Sequence, residues 1–81
     1  MTLPELIRSR KGPRTYADLQ RDSGGALTPK NLERMVNRPL LAFPDVATLR
    51  GLTVALGVPE GVVVDAAAES LGLHVDHADR H

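Results

Sequence analysis

Two groups of residues in this chain have types and spacings that could do chemistry. The first is His74, His77 and His81, which would share one face of a continued helix with Asp76 and Asp79 nearby. Imidazole and carboxylate at that spacing suit a divalent metal. The second is the run LTPKNLERMVNR at residues 27–38, where Lys30, Asn31 and Arg34 stand among apolar residues at helical spacing. Those three polar side chains either recognise something or hold an ordinary amphipathic helix in water. Catalysis has less to work with. There is no cysteine, and Ser9, Ser23 and Ser70 have no histidine placed to activate them, because every histidine falls within residues 74–81. With no strand predicted there is no strand-to-helix phosphate loop either, so an enzyme is not expected. The polar end of the chain reads as a solvated tail that binds metal only adventitiously, and no metal or other cofactor is expected.

The elements that must position the second group follow from start and stop signals. Thr2-Leu-Pro-Glu5 fits a capping box, Leu3, Leu6 and Ile7 form an apolar stripe, and Gly12-Pro13 ends the first helix. Thr15 with Asp18 opens a second helix, whose Leu19 faces inward and which stops at Ser23-Gly24-Gly25. Thr28-Pro29 opens the third, with proline at the position where its missing N–H costs nothing. Leu27, Leu32, Met35 and Val36 make its buried face, and Asn37 and Arg38-Pro39 end it. After a loop through Phe43, Asp45 caps a fourth helix with Val46, Leu49, Leu52 and Leu56 on one stripe. Gly57 and Val58-Pro59 stop it. Gly61-Val-Val-Val-Asp65 would pass for a strand alone, but Ala66-Ala-Ala-Glu-Ser70 continues without a breaker, so a fifth helix is predicted from Pro59 to Leu71 with Gly72 as its C-cap. The fold class is therefore all-α, one five-helix domain over residues 1–73 and a polar tail over 74–81.

Length and charge bound the rest. At 81 residues about 60% of the surface is buried on folding, and the core must be aliphatic because Tyr16 and Phe43 are the only aromatics. No apolar run approaches the roughly 18 residues of a membrane span, and Met1 starts no secretory signal; a cytoplasmic protein without a membrane partner is expected. Net charge is zero but divided. Residues 1–41 hold eight basic against four acidic side chains, net +4, and residues 42–81 hold two against six, net −4. A local positive field of that kind attracts a polyanion.

The strings TYADLQRDSGG, LTPKNLERMVNR and TLRGLTVALGVP together resemble the XRE-type, lambda-repressor-like (Cro/repressor) helix-turn-helix family, over residues 3 to about 72. Gln20, Tyr16, Val36, Arg38 and a longer turn at 24–27 depart from that family's usual pattern. The resemblance implies a compact lambda-repressor-like domain, encoded by a phage or bacterium, that puts helix three into the major groove of a double-stranded DNA operator. Asn31 would then pair with an adenine edge, Arg34 with guanine or phosphate, and Lys30 with phosphate or guanine. The helix starts at Thr15-Tyr16 and Thr28 would offer backbone N–H groups to phosphates, with Pro29 on the outward face and Arg14, Arg21 and Arg38 as backbone anchors. Such a regulator represses by blocking polymerase and uses a homodimer, here through helix five, where Val63 and Val64 could form an interface or fill the core. The alternative is a protein-interaction module on the same scaffold, such as a phage host-modulating factor or antitoxin, which overall neutrality and the acidic second half favour.

Overall fold

Helix starts in this chain are decided within one turn of sequence. In the structure, a computed structural model that describes residues 1–72, five helices follow one another: α1 Leu3–Lys11, α2 Tyr16–Asp22, α3 Pro29–Asn37, α4 Val46–Leu56 and α5 Glu60–Ser70. The Thr15 hydroxyl accepts from the Asp18 N–H at 3.1 Å while Asp18 Oδ2 accepts from the Thr15 N–H at 3.0 Å. Thr2 and Glu5 make the same reciprocal box. Thr28 accepts from the Asn31 N–H at 3.2 Å and Asp45 from the Thr48 N–H at 2.8 Å. Each bond satisfies a donor that has no partner inside its own helix. Gly57 closes α4 in the left-handed conformation at φ 66°, and the N–H groups of Gly57 and Val58 both donate to the Thr53 carbonyl. Val58 is buried beyond it, as a helix-closing motif of this kind requires.

The fifth helix is one residue shorter at each end than the sequence predicts. Pro59 is its N-cap without a side-chain bond, and Leu71 rather than Gly72 is its C-cap. Gly72 follows in a left-handed conformation at φ 80°. The predicted tail, with His74, His77 and His81, lies outside the described residues. No single helix among the described residues is long and apolar enough to cross a membrane.

The core sits where α1 packs on α3 and α5, α2 on α3 and α4, and α4 on α5. Leu3, Leu6, Ile7, Leu19, Leu27, Leu32, Leu52 and Val63 are its fully enclosed side chains, and no polar side chain of the described residues is buried with them. One sequence expectation fails here. Val46 shares the spacing of Leu49, Leu52 and Leu56 but is 57% exposed, because it lies in the first turn of α4, entered from a loop whose Leu41 and Phe43 are themselves exposed. Of the two roles the sequence leaves open for Val63 and Val64, the structure favours the core: Val63 is fully buried in phase with Ala66 and Ala67, and Val64 packs partly against the same core. The exposed valine of that run is Val62.

The turn between α2 and α3 is tied from both sides. Gly24 and Gly25 have φ of 69° and 91°, a region that side chains with a Cβ avoid. Ser23 Oγ donates to the Gln20 carbonyl at 2.8 Å and accepts from the Leu27 N–H at 3.0 Å. From outside, α4 presses on the turn at Gly51, where an added Cβ would lie 2.9 Å from Ala26 Cβ and 3.1 Å from Leu27 Cγ. Neither neighbour can swing aside, one being fixed to the backbone and the other fully buried. Because Gly51→Ala regains up to about 1 kcal/mol of helix propensity, Gly51→Val is the clearer test. It is expected to destabilise the fold by about 2 kcal/mol through overpacking, read as a lower thermal midpoint.

Candidate functional site

Helix α3 exposes the side chains that its buried face leaves over. With Leu32, Met35 and Val36 enclosed, Lys30, Asn31 and Arg34 are exposed, as are Pro29 before them and Arg38 after. Glu33 is half-buried and accepts from Asn37 Nδ2 at 3.3 Å. Among the described residues the side chains of Lys30, Arg34 and Arg38 donate no hydrogen bond and form no ion pair, in contrast to Arg8, Arg14 and Arg21. The start of α3 is also electrostatically different. Glu5, Asp18, Asp45 and Glu60 put a carboxylate at the N-cap or first turn of α1, α2, α4 and α5, whereas α3 has none. Instead its first turn carries Lys30, a cation at the positive end of the helix dipole, which is unfavourable for the helix by some tenths of a kcal/mol. An incoming anion would reverse that sign.

Helix α2 offers less. Its N-terminus is already occupied by the Asp18 carboxylate, held below its ordinary range first by the hydrogen bond from the Thr15 backbone, then by the Thr15 hydroxyl and Arg21. A phosphate approaching Thr15 or Tyr16 meets a like charge. Tyr16 packs partly against the core, with Lys11 Nζ 5.8 Å from its ring centroid. Arg21 remains mostly exposed and pairs with Asp18 at 3.2 Å and Asp22 at 3.7 Å. Such exposed pairs are weak, so Arg21 is free to exchange them for another anion.

Arg14 is engaged within the fold. Its guanidinium donates to the carbonyls of Lys11, Arg10 and Ala55 at 3.1, 2.8 and 2.7 Å and to Asp22 Oδ2 at 3.1 Å. Four of its five N–H donors are thus committed inside the fold, tying the end of α1 to α2 and to the C-terminal turn of α4. Arg8 does the same for α3, donating to the Val36 carbonyl at 3.3 Å. Two of the eight basic side chains of residues 1–41 are therefore engaged in holding the scaffold together. Nothing in the charge pattern distinguishes these arginines, because the bonds that tie them to α4 and α3 go to the uncharged Ala55 and Val36 carbonyls, far along the chain.

The same caps set an acid sensitivity. Glu5, Asp18 and Asp45 are each held below their ordinary range, chiefly by the backbone N–H donors of Thr2, Thr15 and Thr48. A folded-state value below the unfolded one stabilises the fold above the unfolded value, and the stabilisation is lost as pH falls through the folded value. The thermal midpoint is therefore expected to hold at neutral pH and to drop once pH falls below the ordinary values near 4.5 for Glu5 and 3.8 for the aspartates. Melting Asp18→Asn beside the parent from pH 7 down to 3 checks it: the variant should start lower and fall less steeply.

Of the residues the sequence singles out, Asn31, Arg34 and Arg38 line one open groove of about 610 Å³ between α3 and the following loop, together with Met35, Leu40 and Leu41. The sequence reads this stretch as a plain connection, yet the apolar run Leu40-Leu41-Ala42-Phe43 between Pro39 and Pro44 stands where a connection is ordinarily polar. Leu41 is 91% and Phe43 43% exposed. Comparison with family models, curated proteins and solved structures returns no match, so the surface is interpreted on its own geometry.

Proposed function

We propose that this chain is a sequence-specific DNA-binding regulator of the lambda-repressor-like helix-turn-helix kind, which inserts α3 into the major groove and represses by occupying an operator. The observation that carries the reading is the outward face of α3, where Lys30, Asn31 and Arg34 are exposed and uncommitted at the one helix start among the described residues that has no carboxylate. Amide and guanidinium groups on a groove-sized helix match base edges, Asn31 with adenine and Arg34 with guanine. Lys30 and the open backbone of the first turn suit phosphate, as do Arg38 and Arg21 on the flanks. One copy contacts too few bases for tight binding, so two copies on half-sites about 34 Å apart are part of the proposal.

Titrating the chain against double-stranded DNA at rising salt tests this directly. Three or four phosphate contacts per copy give a log–log slope of about −3 per copy, whereas weak, salt-independent retention would rule the reading out. A second reading, a protein-interaction module on the same scaffold, is favoured by the exposed Leu41 and Phe43.

A further inference from the structure

We propose that the groove between α3 and the 39–44 loop is a docking site for a short acidic, apolar peptide segment of a partner protein. Most of its lining is apolar, from Met35, Pro39, Leu40, Leu41, Ala42 and Pro44, and α3 and its C-cap add Arg34 and Arg38. The volume, about 610 Å³, holds a few large side chains. Apolar surface continues beyond the groove at Phe43 and at Val46, 57% exposed, so the occupant is longer than a small molecule. Two prolines fix φ at both ends of the loop, so its apolar side chains are presented with little ordering left for binding to impose.

Charge selects the occupant. Arg34 and Arg38 have no ion-pair partner among the described residues, and a guanidinium fork suits a carboxylate. The acidic group lining the groove, Asp45, is already engaged by the Thr48 N–H as the cap of α4. A helix or strand with one or two large apolar anchors and flanking Asp or Glu therefore satisfies both parts of the lining. DNA does not, because a concave apolar lining offers its phosphates nothing. Such a peptide would cover Arg34 and part of Asn31, so its binding excludes DNA. That exclusion, but not the docking site itself, rests on the DNA-binding proposal.

The test is selection of random peptides of about twelve residues, roughly 18 Å as a helix, displayed and panned against the full chain. The expected result is enrichment of sequences combining large apolar residues with Asp or Glu. Their affinity should fall at least about tenfold in Leu41→Ser with Phe43→Ser and again in Arg34→Gln with Arg38→Gln, as for loss of interface anchors. Both Leu41 and Phe43 are exposed, so the first variant keeps its thermal midpoint. Absence of enrichment, enrichment without acidic residues, or binding indifferent to Leu41→Ser overturns the proposal. So does a parent dimer that Leu41→Ser with Phe43→Ser converts to monomer, since a second copy would then cover the groove. Loss of DNA binding in that variant with peptide binding unchanged would assign the loop to the DNA surface instead. Failure of peptide selection leaves the salt-dependent DNA titration untouched, so the two proposals fail separately.

Discussion

The double substitution Lys30→Ala, Arg34→Ala is expected to abolish operator binding and leave the fold intact. Each removed contact to a base or phosphate is worth about 1–3 kcal/mol, so losing two in each copy weakens binding by at least about thirtyfold. The fold should not notice. Both side chains are exposed and donate nothing to the rest of the described chain. Alanine is also the better helix former, and replacing Lys30 removes a cation from the positive end of the α3 dipole. The thermal midpoint should therefore stay level or rise slightly. Fluorescence anisotropy with labelled operator, obtained by selection from random DNA, reads the first quantity and a melt the second. A folded double variant that still binds normally would sink the assignment of α3 as the reading helix.

Arg14→Ala should show the opposite pattern, a large loss of stability. Removing the guanidinium strips charged donors from three carbonyls and Asp22 at once. The Ala55 carbonyl matters most, because Ala55 is buried in the last turn of α4, where no helical N–H follows to replace the lost donor. Hydrogen bonds to charged groups contribute about 1.5–3 kcal/mol, and the site is only partly exposed, so a loss of about 2–3 kcal/mol is expected. In a domain this small that lowers the midpoint by roughly 10–20 °C. Arg14→Lys should not restore it, since one ammonium cannot span acceptors arranged for a planar fork. If instead Arg14→Ala melts like the parent but binds DNA poorly, Arg14 is a phosphate anchor after all.

Both experiments turn on the same distinction, between cations that hold the fold and cations that are left over. Arg8 and Arg14 bond to carbonyls of α3 and α4, whereas Lys30, Arg34 and Arg38 have no such acceptor among the described residues. The net charge of the first half of the chain counts all of them alike. Bonds to neutral carbonyls leave Arg8 and Arg14 charged, so they still add to the field a polyanion meets, but the side chains of Lys30, Arg34 and Arg38 can reach a ligand without giving up a bond in the fold.

What could be read directly from the residues was local. Thr2, Thr15, Thr28 and Asp45 cap the helices they were expected to cap, Gly57 closes α4, and Leu32, Met35 and Val36 turn inward while Lys30, Asn31 and Arg34 turn outward. Each of these depends on residues three or four apart, where helix geometry alone decides who meets whom. Other outcomes needed the tertiary structure. Val46 is exposed and Val63 buried because packing across helices chooses which part of an apolar stripe is covered. Gly51 meets the α2–α3 turn, and Arg14 reaches Ala55 across forty-one positions. Leu41 and Phe43 are exposed because no element among the described residues folds back over their loop. The chain by itself determined the helices and the face each would bury; only their packing decided which arginines remain free to bind and where an apolar surface is left open.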